Sequence, residues 1–323
     1  MNPEAAAARW FEGFSLSPLG SGHIHDTFEL RTGPSRFVLQ RINESVFTDG
    51  DLLMAQTRRL LDCWQQQDEF VVPQLVQSQR GADSERFDDG LWRVWSFIEQ
   101  SSVVDPVTSL TQAAQAGRAF GRFQRGLQKL QGPRFADTIA GFMQLDYYLS
   151  EYDAVAAAAP RQERRVIERH RGLADALGQR NSYIHADCKV NNLLFDEAAA
   201  QVKAIIDFDT VMFGHWAWDL GDLVRSVCFS AGSADVAYFA ACLEGFCEAR
   251  PDVTVHESVV APEYVALMLG VRFLTDHLRG DRYFKVSRPG QNLRRAQEQI
   301  ALFQEFLRLR PQYEEAAREI IKG

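Results

Sequence analysis

One β-like island inside an otherwise helical stretch sets the tightest limit on the fold. Residues 183–196 (YIHADCKVNNLLFD) and 202–211 (VKAIIDFDTV) form an apolar-rich, β-like island, with short apolar runs at 193–195 and 204–206 of the kind found in buried strands. Around them apolar residues recur at helical spacing and predict helices over roughly 109–130, 142–158, 161–178, 219–230, 235–249, 262–279 and 291–308. Ser109 with Gln112 reads as a capping box opening the first of these. A chain patterned this way must enclose one short hairpin in helices.

The first 98 residues have a different texture. DTFELR (26–31) and RFVLQRI (36–42) read as strands joined by the turn-forming TGPS. A helix is expected over 51–66, and VVPQLVQSQ and LWRVWSFIE read as two more strands with the hairpin signal FDDG between them. EQSSVVDP (99–106), small, polar and closed by proline, reads as a hinge. The expected fold is therefore α+β and two-lobed: a β-rich N-lobe over 1–98, a mainly helical C-lobe over 99–323, and a ligand cleft between them.

Composition removes several classes. The balance of 35 basic against 43 acidic residues disfavours a nucleic-acid footprint. Five cysteines with no CxxC pair suggest neither a disulfide framework nor zinc, and point to reduced thiols in the cytoplasm. The N-terminus MNPEAAAARWFEGF lacks the apolar run of a secretory signal. No stretch is expected to supply the ~20 apolar residues of a membrane span.

The residues with chemistry to offer cluster in the island. In His185-Ala186-Asp187-Cys188-Lys189-Val190-Asn191-Asn192, Asp187 can take or orient the proton of an attacking hydroxyl. Asn192, and Asp207 at the end of an apolar strand, can supply hard oxygen ligands to magnesium on phosphates. Asp209, two residues on in an extended segment, would face the same way as Asp207. Near the N-terminus, Gly20-Ser21-Gly22-His23 between two strands could bring backbone N–H groups onto phosphates. No lysine precedes Lys129; the following strand offers Gln40 and Arg41, and the next helix Asp51 and Gln56. In WAWDLGDLVRS, Asp219 reads as a helix N-cap supporting the IDFD strand, while Asp222 and Arg225 form an i,i+3 pair or reach substrate. His185 reads as a brace for the loop, and Trp216, Trp218, Phe120 and Phe123 as core.

The HADxxxxN loop and the IDFD segment resemble those of the protein-kinase-like superfamily, in its aminoglycoside phosphotransferase and choline kinase branch. In more detail, GSGHIHDTF, FVLQRIN, HADCKVNNLLFD, IDFDTVM, WDLGDLVRS and RFLTDHLRGDRYF look like bacterial N-acetylhexosamine 1-kinases and their relatives, which usually have Asn where this chain has His25. That resemblance implies ATP and Mg²⁺ as cofactors. It makes Asp187 the catalytic base and Asn192 and Asp207 metal ligands, with Asp209 a further candidate. By the same resemblance Lys189 stands close to the transferred phosphate. Lys189, Arg272 and Tyr283 are candidates for holding the sugar, unless Arg272 and Tyr283 only cap and pack their helix. The main chain near Glu99 and Gln100 would meet adenine. The expected activity is phosphoryl transfer from ATP to a small-molecule hydroxyl, most simply the anomeric hydroxyl of an amino sugar. An aminoglycoside, choline, homoserine or another sugar stands as alternative acceptor, and a catalytically idle nucleotide- or sugar-binding protein as the alternative class. IDFDTV runs almost directly into the WDLGD helix, which leaves no room for the activation segment of a protein kinase.

Overall fold

The computed structural model of the protein describes residues 2–20, 24–64 and 71–322. The chain forms two compact units, Met1–Gln100 and Ser101–Gly323, against an expected boundary between 98 and 99.

In the first unit a short helix α1 (Pro3–Ala7) precedes β1 (Phe14–Pro18), β2 (Asp26–Thr32) and β3 (Ser35–Arg41). Helix α2 (Gly50–Trp64) is followed by β4 (Leu75–Val76), β5 (Ser84–Phe87) and β6 (Gly90–Ser96). The antiparallel sheet runs β1-β2-β3-β6-β4, with β5 also on β6. The β2–β3 hairpin closes on Thr32 opposite Ser35, and Gly33 takes φ +53°, which glycine adopts without penalty. FDDG does make a hairpin, with Phe87 opposite Gly90, but its first strand is β5; the expected strand in VVPQLVQSQ shrinks to two residues. Pro73, just upstream, has no N–H to give a ladder. Trp10, Leu30, Leu39, Trp92 and Val94 form the core of this unit.

The second unit opens with β7 (Ser101–Val103), so part of the expected hinge is a strand, paired with β9 (Leu193–Asp196). Helices α3 (Leu110–Leu127), α4 (Leu145–Asp153) and α5 (Arg161–His170) lead to β8 (Ser182–Ile184). Then come β9, β10 (Val202–Ile205), β11 (Met212–Gly214), and helices α6 (Trp216–Ala231), α7 (Val236–Cys247), α8 (Val255–Leu278) and α9 (Gln291–Lys322). Ser109 caps α3 by accepting the Gln112 N–H at 3.2 Å, whereas the Gln112 side chain reaches the Thr108 N–H at 2.9 Å rather than closing the box on Ser109. Pro262 and Pro311 lie inside α8 and α9; α8 begins at Val255 rather than the expected 262, and α9 runs to Lys322 rather than the expected 308.

Where α3 crosses α7 the backbones touch. A Cβ on Gly117 would lie 2.1 Å from the Cys242 carbonyl, and one on Gly245 2.0 Å from the Ala114 carbonyl. Helix α8 corrects the expectation about apolar stretches: by length and composition it could cross a membrane, but 83 % of its most apolar window is buried within the fold. It is the central helix of this unit.

Candidate active site

The loop between β8 and β9 carries the sequence motif, and a buried carboxylate shapes it. Asp219, in the first turn of α6, accepts the His185 N–H on Oδ2 and the Ala186 N–H on Oδ1, each at 2.8 Å. Gln124 of α3 donates to Oδ2 at 2.8 Å. Asp219 is thus no N-cap; His215 is, through Nδ1 and the Ala217 N–H at 3.2 Å. Burial pushes the Asp219 carboxyl up, against the pull of these donors.

His185 braces the loop, as expected. Its Nδ1 accepts the Asp187 N–H at 3.3 Å, which leaves Nε2 to donate to the Ile206 carbonyl at 3.0 Å. The ring is fully buried among Phe120, Phe123 and Phe208. Thr210 donates to the His185 carbonyl at 2.9 Å, and the Val190 N–H reaches Ser226 at 3.1 Å. Held at this many points, Ala186 keeps φ +63°, a left-handed value uncommon for alanine and typical of over-determined functional turns.

This frame brings Asp187, Lys189 and Asn192 together. Asn192 Nδ2 donates to the Asp187 carbonyl and to its Oδ2, both at 2.9 Å, and Lys189 Nζ lies 2.9 Å from the same Oδ2. Burial raises the Asp187 pKa, but the Lys189 charge and the hydrogen bonds outweigh it and hold the carboxyl below its ordinary value. Burial likewise opposes the Lys189 ammonium, and the charges of Asp187, Asp207 and Asp222 override it, so Lys189 stays protonated.

Asp207 and Asp209 do not share a face. Asp207 has φ +68° and ψ +66°, and Phe208–Thr210 form a 3-10 turn, so the alternation of an extended segment is absent. Asp207 is exposed, and its charge acts on Lys189. Asp209 is 1 % exposed. Among the described residues no three His, Cys, Asp or Glu side chains gather to bind a metal by themselves. The hard oxygens present, Asp207 and the Asn192 amide carbonyl, suit magnesium, which takes one or two protein ligands and completes its shell with phosphates and water.

Asp222 and Arg225 are paired with one another at 2.8 Å and both are buried. Arg272 of α8 hydrogen-bonds the Tyr283 hydroxyl at 3.4 Å. Two residues that sequence reading missed hold that region. Asp276 accepts the N–H groups of Arg282, Tyr283 and Phe284 at 2.9, 2.8 and 3.0 Å, plus Asn292 Nδ2 at 2.9 Å. The Tyr264 hydroxyl accepts the Leu145 N–H at 2.8 Å and donates to the Met143 carbonyl at 3.0 Å, fixing the start of α4. An aspartate six residues before the RYF of LTDHLRGDRYF was the available signal for the first.

In the N-terminal unit Gly20 has φ +71°, while Ser21, Gly22 and His23 lie outside the described residues. Gln40 faces Arg93 across β3–β6, and its Oε1 accepts from Arg93 Nε at 3.0 Å and Nη2 at 2.6 Å and from the Trp95 indole at 3.3 Å. Arg41 is tied to Asp26, with Nε at 2.9 Å, and to the Asp89 carbonyl at 3.3 Å. Asp51 meets Arg86 at 3.0 Å. His25 is buried, accepts the Asn43 N–H at 3.0 Å and stacks on Phe47. Glu99 and Gln100 are exposed, Glu99 lies 3.2 Å from Arg36, and Gln100 turns with φ +51°.

Solved structures with this architecture place it in the kinase-like fold. A choline/ethanolamine kinase family protein from Mesorhizobium loti superposes with TM-score 0.66 at 17 % identity, covering 98 % of each chain. A microcompartment-associated aminopropanol kinase gives 0.66 at 19 %, covering 95 % of this chain and 97 % of its own. A spectinomycin phosphotransferase, solved with ADP and spectinomycin, gives 0.60 at 12 %, covering 98 % and 96 %. Residues 15–252 match the model of the phosphotransferase enzyme family. The chain belongs to that family, and it is a small-molecule kinase.

Proposed function

We propose that the protein moves the γ-phosphoryl group of ATP to a hydroxyl of a small acceptor, and that the acceptor is an N-acetylhexosamine phosphorylated at its anomeric oxygen. The observation that carries this reading is the division of labour on Asp187. Lys189 and Asn192 both occupy Oδ2, so Oδ1 is the oxygen that remains to meet an acceptor hydroxyl. A carboxylate held below its ordinary pKa stays ionised at neutral pH and can orient the hydroxyl and accept its proton as the new O–P bond forms. The bond from the γ-phosphorus to the β-γ bridging oxygen breaks, and ADP leaves. Lys189, protonated beside Asp187, offsets the negative charge of the transferring group.

Asn192 and Asp207 are assigned to magnesium, which neutralises the phosphates when bound; Asp209, almost fully buried, ranks behind them. Gly20, Ser21, Gly22, His23, Gln40, Arg41, Glu99 and Gln100 remain the candidates for nucleotide contact. Arg272 and Tyr283 are assigned to the acceptor. Asp222 and Arg225, spent on each other, are assigned to supporting the loop. Five free thiols support a reducing, cytoplasmic setting.

The test is ADP release with ATP and Mg²⁺ over N-acetylglucosamine, N-acetylgalactosamine, plain hexoses, choline, homoserine and kanamycin. Turnover of an N-acetylhexosamine that disappears in Asp187→Asn is the expected result. Turnover of choline, homoserine or kanamycin alone would keep the mechanism and replace the acceptor.

A further inference from the structure

The Gln40 amide is held from one side. Gln40 stands on β3 between Thr27 of β2 and Arg93 of β6, opposite both in register, so the three side chains share one face of the sheet. Its Oε1 accepts from Arg93 Nε at 3.0 Å, Arg93 Nη2 at 2.6 Å and the Trp95 indole at 3.3 Å, more donors than a carbonyl oxygen has lone pairs. That saturation settles which end of the amide is oxygen. Nε2 is turned the other way, where it donates to Thr27 Oγ1 at 3.4 Å.

The row runs from a buried end to an open one. Arg93 is 2 % exposed, with its guanidinium over the Trp95 ring and Nη1 3.9 Å from the Met54 sulfur of α2, whereas Gln40 and Thr27 are half-buried. The second Nε2 hydrogen and the Thr27 O–H have no partner among the described residues, so the open end offers two donors. Leu19 gives its N–H to the Thr27 carbonyl at 2.9 Å, which sets these donors beside the residue that leads into Gly20-Ser21-Gly22-His23. Arg41, the neighbouring candidate, alternates to the opposite face, and Asp26 and Asp89 already meet its charge. An amide whose oxygen binds a guanidinium is polarised, and its N–H groups donate more strongly. Arg93 thereby lends part of its charge to Nε2 while staying in the interior.

We propose that Gln40 Nε2 is the phosphate-contacting donor of the first unit, and that Arg93 is the residue that positions it. The assignment rests on the kinase reading above and gives one of its nucleotide candidates a stated partner, a phosphate oxygen rather than the base or the ribose. Arg93 acts through Gln40 and meets no ligand itself. Thr27 adds its hydroxyl to the same anion.

Calorimetric binding of ADP and of adenosine to the full chain, both with Mg²⁺, tests this without any acceptor. Gln40→Glu keeps an oxygen for Arg93 and Trp95 but removes the donor and adds a negative charge. ADP should bind at least about tenfold more weakly, the loss expected for a hydrogen bond to a charged group, while adenosine stays within about twofold. Arg93→Met should weaken ADP about three- to tenfold. On top of Gln40→Met it should add less than about twofold, because its effect passes through the amide. Should Arg93→Met fail to fold, Arg93→Lys, which keeps the charge but not the planar fork, takes its place with the same coupling expected. Unchanged ADP binding in Gln40→Glu, or equal losses for ADP and adenosine, would overturn the phosphate contact and leave the kinase reading standing. Additive losses in the double variant would overturn the positioning role of Arg93. A wild-type chain that binds no ADP would remove this assignment and the kinase reading together.

Discussion

Lys189 Nζ lies 2.9 Å from Asp187 Oδ2, the oxygen that also accepts from Asn192 Nδ2. One carboxylate oxygen is thus bound by a cation and an amide, which fixes the orientation of the proposed base. Asp187→Asn removes the proposed proton acceptor with little change of shape. Turnover should fall about 10²- to 10⁴-fold, the usual contribution of general-base catalysis. Thermal melts and ADP release on the same preparation check it, and near-normal turnover would remove Asp187 from the mechanism.

Asp276 holds the segment that carries Tyr283, assigned above to the acceptor. It holds three successive N–H groups of 282–284, so Asp276→Asn should let Tyr283 and Phe284 drift. Acceptor kcat/KM should drop roughly 10- to 100-fold, as misplacements of about 1 Å do, while KM for ATP moves little. Equal effects on both substrates would point to general unfolding instead.

Acid should loosen the second unit through His215. Burial is the main influence holding its pKa below the ordinary value of about 6.5, against the opposing pull of Glu257. In the interval between the folded and ordinary values the unfolded chain binds more protons. Stability present above about pH 6.5 is therefore lost as pH falls through the folded value. Protonation would also place a hydrogen on Nδ1, which accepts the Ala217 N–H at the head of α6. Melting curves between about pH 7 and pH 5 should fall more steeply for the wild type than for His215→Gln. Identical slopes would count against it.

The crossing of α3 and α7 leaves no space for a methyl group. Gly245→Ala would gain about 1 kcal/mol of helix propensity. Against this stands a backbone carbonyl 2.0 Å from the new Cβ, and such overpacking costs typically 1–3 kcal/mol or more. A lower urea midpoint at an unchanged slope is the expected result.

What the sequence made legible was local. Asp187, Lys189 and Asn192 lie within six consecutive residues of one loop, and their chemistry can be read from types and spacing. Asp219 looked like a cap because its position near a helix start is a local fact; its hydrogen bonds run 33 and 34 residues back along the chain. The left-handed turn at Asp207 broke the alternation that would have paired it with Asp209, and only a tertiary frame holds a non-glycine residue there. The helices expected over 262–279 and 291–308 fall short of α8 and α9, which run through Pro262 and Pro311 within a tightly packed pair. Tyr264 and Asp276 were missed because the roles they play are tertiary, like the one Asp219 plays. Their partners lie on other elements or past a turn.

The catalytic loop and the Arg272 group are secured by different hands. Asp219, Thr210 and Ser226 fasten the loop, whereas Tyr264, Asp276 and Asn292 fasten the segments around Arg272. No residue serves in both sets. On the proposed reading, 142–148 and 282–284 could be redrawn for another clientele without disturbing the fastenings of the loop that carries Asp187.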